Sequence, residues 1–174
     1  MSERADFVFT PTTKAPEPEL GFERIPVDRY TDPSFIKLED EHIWSKTWLL
    51  AGAACDVLEA GDFFVFENLR ESILVTHADD GVIRAFYNVC QHRGNPLVSE
   101  EKGSVKRFVC RYHSWAFMPD GELNFAPDAD DFPEGNPCGK VRLEELACET
   151  FAGFVWVNMD RECVCLKEYL GPIW

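Results

Sequence analysis

Two short stretches constrain this chain more than anything else in it: Cys90-Gln-His92 and, seventeen residues later, Cys110-Arg-Tyr112-His113. Each follows a run of β-forming residues, so each pair sits on a loop that projects from a sheet. A fold compatible with both must let the two loops face each other across a shared site. Two of the chain's four histidines fall inside these stretches, which speaks against coincidence.

The surrounding pattern says what kind of sheet carries the loops. From Trp48 onward apolar residues come in short runs, Trp48–Ala53, Asp62–Glu67, Ser72–His77 and Val82–Asn88, separated by Gly, Asp and Asn. That pattern predicts an antiparallel meander. Asp79-Asp80-Gly81 and Pro119-Asp120-Gly121 supply the left-handed positions of tight turns, so each is expected to close a hairpin. Two later runs, Val141–Leu146 and Phe154–Asn158, predict further strands beside an acidic loop from Asp128 to Glu134. Ahead of the meander, Asp32-Pro33 offers an N-cap followed by proline at the first helical position. Phe35, Ile36, Ile43, Trp44 and Trp48 then recur at roughly helical spacing. One amphipathic helix from Pro33 to Lys46 is expected.

The opening segment, Thr10 to Glu19, is polar and proline-rich and cannot offset its ordering entropy by burial, so it reads as a loose arm. The expected organisation is an arm over residues 1–30 and one domain over residues 31–174. Its fold class is mainly β, a small antiparallel β barrel or sandwich with one or two helices at its edge.

Charge and cysteine content narrow the function. With 17 basic and 31 acidic residues the formal net charge is −14, which repels phosphate backbones and anionic lipid surfaces. Neither nucleic acid nor membrane is an expected partner. No apolar run in the first thirty residues suits a signal peptide and no stretch suits a bilayer span, so the protein reads as cytoplasmic. Seven cysteines are an odd number, irregularly scattered, and do not suggest a disulfide framework. The two that lie near histidines, Cys90 and Cys110, are better candidates for metal ligation.

One cysteine from each loop can bind one iron, and one histidine from each loop the other. That is the ligation of a Rieske [2Fe–2S] centre, with Cys90 and Cys110 on one iron and His92 and His113 on its partner. Imidazoles in place of two thiolates remove negative charge, raising the potential to about −150 to +300 mV against about −400 mV for plant-type ferredoxins. Such a protein moves electrons singly. The competing reading of the same residues is a Cys2His2 zinc site that staples two loops. Zinc fingers, however, usually show gaps of about two to four residues between cysteines and about three to five between histidines. This sequence has neither spacing.

The segment Cys90-Gln-His92-Arg93-Gly94, with Cys110-Arg-Tyr112-His113-Ser114-Trp115-Ala-Phe117, resembles the cluster loops of the large (α) subunits of Rieske non-haem iron oxygenases, the aromatic ring-hydroxylating type. The likeness extends upstream to the Trp44–Trp48 region and Gly61-Asp62-Phe63. Downstream it takes in Asp120-Gly121, Gly153-Phe154-Val155-Trp156-Val157-Asn158 and Tyr169-Leu170-Gly171, covering about residues 25 to 174. The resemblance implies a centre that accepts electrons from a ferredoxin or reductase and passes them to a mononuclear iron, which activates O2 for attack on an organic substrate. It further implies a trimer-like homo-oligomer in the full-length protein, with a small β subunit as an optional member. The family's mononuclear iron, Fe(II) held by two histidines and a carboxylate, lies downstream of the Rieske part, and no histidine follows His113 here. The chain therefore reads as the N-terminal part of an α subunit without its catalytic domain, and no catalytic residue is assigned. A free-standing Rieske ferredoxin is the alternative.

Two departures bear on that likeness. Ser114 stands where the family usually has glycine, and neither loop carries the extra cysteine that bridges the loops of respiratory Rieske proteins. Trp115 is placed to shield the centre from water, or is an ordinary core tryptophan, and the two roles are compatible. Arg93 and Tyr112 are read as hydrogen-bonding near the sulfurs or holding the loops together. His42, His77 and the Cys163-Val-Cys165 pair are read as structural. Between Arg93 and Arg111, five cations against two carboxylates give a local net charge of +3. That rim either guides an acidic ferredoxin or is simply solvated.

Overall fold

Alternation of side chains across the strands divides the interior into two packed clusters. The computed structural model describes residues 24–69 and 71–174. Its strands are β1 (Leu49–Ala53), β2 (Asp62–Asn68), β3 (Glu71–His77), β4 (Ile83–Tyr87), β5 (Lys102–Ser104), β6 (Phe108–Val109), β7 (Ala116–Phe117), β8 (Leu123–Phe125), β9 (Glu145–Phe151) and β10 (Phe154–Asn158). Seven form one antiparallel sheet in the order β1-β10-β9-β4-β3-β2-β5, and β6-β7-β8 form a second. The mainly β, antiparallel class read from the sequence is the observed one.

One face of the large sheet sends Phe63, Leu74 and Phe86 into a cluster with Phe108, Phe117, Leu123, Cys90 and Cys110. The other face sends Phe64, Ile73, Val75 and Ala85 into a cluster with Leu146, Val155 and Val157. Neighbours along a strand thus point into different clusters, as a two-residue period requires. Strands distant in the sheet order share the second cluster because the sheet curls over it. Burying a phenylalanine such as Phe86, 1% exposed, is worth about 3–5 kcal/mol against alanine at the same position.

Both expected hairpin turns form, by the same chemistry. At the first, Asp80 Oδ1 accepts the Val82 N–H at 3.0 Å and Gly81 N–H donates to the Ala78 carbonyl at 2.9 Å. At the second, Asp120 Oδ1 accepts the Glu122 N–H at 2.9 Å and Gly121 N–H donates to the Met118 carbonyl at 2.9 Å. Gly121 is required twice over: its φ is +87°, and an added Cβ would lie 2.6 Å from the Phe86 ring.

Two expectations need correction. The run Val141–Leu146 is not a strand over its length, because β9 begins only at Glu145. Val141 and Leu143 instead exchange isolated hydrogen bonds with the β7–β8 hairpin, Leu123 N–H to the Val141 carbonyl and Leu143 N–H to the Gly121 carbonyl. Their alternation comes from packing on the first cluster without a ladder. The helix beginning at Pro33 is α-helical only through Glu39, then continues as a π-helical turn over Asp40–Trp44. The arm read over residues 1–30 lies outside the described residues up to position 23, and Asp28–Thr31 form a short helix. The described residues up to Asp32 and those from Pro33 onward fall in two separate units.

Candidate metal centre

The two cysteines open loops of the same shape. Beyond β4 the chain runs through Asn88 and Val89 to Cys90, and beyond β6 it reaches Cys110 directly. Cys90 N–H donates to the Asn95 carbonyl at 2.8 Å, and the Cys90 carbonyl accepts the Gly94 N–H at 3.0 Å. Cys110 repeats both bonds, with the Trp115 carbonyl at 2.8 Å and the Ser114 N–H at 2.9 Å. In each loop the residue four places after cysteine is left-handed, Gly94 at φ +69° and Ser114 at φ +58°. Ser114 therefore keeps the backbone shape that glycine would adopt freely.

These loops bring together all four residues singled out by the spacing. Cys90 and Cys110 are both 2% exposed, in the first hydrophobic cluster, with their thiols within hydrogen-bonding reach of each other. His92 and His113 are half-buried, and their ring centroids lie 4.8 Å apart at 72°. Sulfurs thus lie inward and imidazoles toward the surface. Burial first, and then the Cys110 thiol beside it, push the Cys90 thiol up to about 11. Loading a metal there must displace a proton. Burial, His113 and Arg93 hold the His92 imidazole below its ordinary value, which favours the neutral form that can ligate.

The donor set suits two irons better than one ion. Among the described residues no three His, Cys, Asp or Glu side chains converge on a point that would hold a single ion. Two-plus-two ligation of two irons needs one sulfur pair and one imidazole pair, which is how these four donors are grouped. Asn95 adds a cross-loop contact, its Nδ2 lying 4.0 Å from Cys110 Sγ, at the limit for a weak N–H···S bond.

Around the imidazoles the structure builds an apolar cleft. Trp115, 5% exposed, stacks on His92 with centroids 4.7 Å apart and planes 8° from parallel. Phe132 meets the Trp115 indole edge-on at 5.9 Å. His92 and His113 open into a cleft of about 440 Å³ walled by Trp115, Phe132 and Pro133, with Asp128 and Asp131 also lining it. Tyr112 is 59% exposed with its ring 3.8 Å from that of His113. The Arg93 backbone N–H lies within hydrogen-bonding reach of the Cys90 sulfur, whereas among the described residues neither the Arg93 nor the Tyr112 side chain forms a hydrogen bond.

Of the remaining histidines, His77 Nδ1 lies 3.0 Å from the Val57 carbonyl, holding the end of β3, and His42 is exposed on the π-helical turn. Cys163 and Cys165 lie before a short helix, Leu166–Leu170, apart from any histidine, and none of the seven cysteines is in a disulfide.

Two contributors escaped the sequence reading. Asn88, read only as a strand end, is 6% exposed and clamps the first loop: Oδ1 accepts the Leu97 and Val98 N–H groups, and Nδ2 donates to the Val98 carbonyl and Ser72 Oγ. Phe132, read as part of an acidic loop, backs Trp115. A lone aromatic beside proline inside that acidic run was the available signal.

Paired Cys and His loops over an antiparallel sheet define a class, and the sequence comparison agrees with it. A model of the Rieske [2Fe–2S] domain matches residues 47–148, and the chain belongs to that family. Its cofactor is accordingly a Rieske-type [2Fe–2S] cluster. Among its relatives is the carnitine monooxygenase oxygenase subunit of Escherichia coli (strain K12), 35% identical over 84% of this chain and 39% of the relative. Another is the large oxygenase component of the naphthalene 1,2-dioxygenase system of Pseudomonas aeruginosa, 36% identical over 80% of this chain and 32% of the relative. The crystal structure of the apo form of a quaternary ammonium Rieske monooxygenase, CntA, superposes with a TM-score of 0.80 at 31% identity, covering 86% of this chain and 43% of that one. The chain thus spans about a third to two fifths of the curated relatives it matches.

Proposed function

We propose that Cys90 and Cys110 bind one iron of the cluster and His92 and His113 the other, and that the chain is the electron-transfer part of a Rieske oxygenase α subunit. The observation that carries this is the pairing itself: two thiols together inside and two imidazoles together at the cleft, on loops of identical hydrogen bonding. When bound, the cluster supplies one-electron storage at a potential raised by its two neutral ligands. The protein's own contribution is to hold four donors in place, to exclude water with Trp115 and Phe132, and to leave the histidine side open. That open edge is where an electron leaves most readily.

Within this reading, residues 31–174 are the Rieske domain, preceded by an arm over residues 1–30. The mononuclear iron and the substrate pocket belong to a catalytic part of the whole protein outside this chain. The donor is a ferredoxin or reductase, and the whole protein is a trimer-like homo-oligomer that either includes or lacks a β subunit. The relatives' names point to an organic substrate, carnitine in one case and naphthalene in the other. An aromatic hydrocarbon is therefore one candidate class and a quaternary ammonium compound the other. A cytoplasmic location is consistent with the net charge and with the lack, among the described residues, of any helix long and apolar enough to cross a membrane.

The test is spectroscopic. Protein purified anaerobically should be reddish-brown, with equal iron and acid-labile sulfide and with nitrogen hyperfine coupling from two histidines at the reducible iron. His92→Ala and His113→Ala should each lose or destabilise the cluster, whereas His42→Ala should keep it. Colourless protein with one equivalent of zinc would refute the assignment.

A further inference from the structure

An electron relay with a single centre has to be approached by a donor and by an acceptor, and the surface around this centre has two separate openings. The first is the histidine cleft. The second is a groove of about 340 Å³ with no lining residue in common with the cleft. Its floor is apolar, Phe63 and Phe108 meeting edge-to-face at 5.4 Å beside Val109, which is 45% exposed. Its charged walls are Lys102, Arg107 and Arg111 against the single carboxylate of Glu100. Val109 and Arg111 flank Cys110 in the chain, so an occupant of the groove lies against the backbone that carries an inward-facing sulfur.

The charges of this groove are available to a partner. Arg107 is exposed and has no ion-pair partner among the described residues. Arg111 pairs with Glu100 at 2.5 Å and Lys102 with Asp56 at 3.5 Å, but every member of those pairs is at least 41% exposed. Such surface pairs contribute little and exchange readily with an incoming carboxylate. A basic, apolar-floored groove on a chain of net charge −14 is a local inversion of sign. The body of the protein repels an acidic partner while the groove attracts it, so only one orientation of approach is favoured.

We propose that this groove, bounded by Lys102, Arg107 and Arg111, is the docking site of an acidic one-electron carrier protein that reduces the centre from its cysteine side, leaving the histidine cleft free for delivery. The inference rests on the ligand assignment proposed above. The step moves one electron, oxidising the carrier and reducing the centre. It runs downhill from a plant-type ferredoxin, whose potential lies well below that of Rieske centres.

The experiment uses the cluster-loaded chain and reduced plant-type [2Fe–2S] ferredoxin in anaerobic stopped flow. The double variant Lys102→Glu/Arg107→Glu should be reduced about tenfold more slowly at low ionic strength, with the gap closing as salt screens it. Its visible spectrum should match the unaltered protein, and its reduction by methyl viologen radical, a small cation, should be no slower. Arg107→Lys should keep the original rate. So should Lys140→Glu, which lines neither opening and tests whether a charge reversal away from the groove has the same effect. In the unaltered protein, carbodiimide coupling should join ferredoxin carboxylates to Lys102, the lysine that lines the groove. Equal rates for the double variant and the original protein overturn the proposal, as does equal slowing by Lys140→Glu. If the double variant also loses the viologen reaction, the coupling site decides: attachment at Lys102 upholds the proposal and attachment elsewhere overturns it. A protein without a Rieske spectrum overturns the ligand assignment, whereas a normal spectrum with no charge effect overturns the docking site alone.

Discussion

Ser114 holds φ at +58°, a conformation that costs a non-glycine residue about 1–3 kcal/mol. Glycine would relieve this but give back about 0.4–1 kcal/mol through a more flexible unfolded chain. Ser114→Gly should therefore stabilise the protein by about 1 kcal/mol, read from urea unfolding of the cluster-loaded form, while Ser114→Val should destabilise it. Thr76 offers a second test. It is fully buried in β3, and its hydroxyl has no hydrogen-bond partner among the described residues. Replacing a buried unsatisfied hydroxyl with a methyl of similar shape recovers part of a desolvation cost of about 1–3 kcal/mol. Thr76→Val should raise Tm by about 2–4 °C for each kcal/mol recovered, and an unchanged or lower Tm would show that the hydroxyl is satisfied. The sequence named the four ligand candidates from residue type and spacing. It gave no hint of Thr76, because a threonine facing the core is written the same way as one facing water.

The β3–β4 turn shows how an element carries its own pH dependence. Arg84 donates to both Asp80 oxygens, at 2.9 and 2.6 Å, and with the Val82 N–H holds the Asp80 carboxyl at about 2, below its ordinary 3.8. In the unfolded chain Asp80 takes up its proton near pH 4, whereas in the folded chain it stays ionised until about pH 2. Its contribution to stability is thus complete above about pH 4 and lost as pH falls toward about 2. Asp80→Asn should be less stable than the original at neutral pH, with the difference shrinking over that window in acid titrations followed by circular dichroism. A difference that persists unchanged to pH 2 would assign the effect to the turn's backbone and not to the charge. The Asp-Gly turns were legible because the chemistry of a tight turn is local. The start of β9 was not, because Val141 and Leu143 alternate as a strand does while making only isolated hydrogen bonds to the β7–β8 hairpin.

At the scale of the molecule, the histidine inventory limits what this chain does alone. His92 and His113 are assigned to the cluster and His77 is engaged at Val57, which leaves His42. A facial triad needs two histidines and a carboxylate. The isolated chain should therefore take up one electron per cluster yet consume no O2 in a substrate-dependent way, and oxygenation of carnitine or naphthalene by the chain with a donor alone would contradict this. Residue type, spacing and turn chemistry, all properties of neighbours in sequence, named the four candidate ligands and determined the antiparallel β class and both hairpins. What only the tertiary structure decided are relations between distant segments: Asn88 clamping the first loop, Phe132 backing Trp115, sulfurs inward and imidazoles outward, and a basic groove set apart from the histidine cleft. Phe132 reaches Trp115 because residues 127–133 fold back onto the second loop, and the groove forms where Phe63 of β2 lies beside residues 97–111. Packing of that kind depends on the whole chain's burial and leaves no periodicity in any one stretch of sequence.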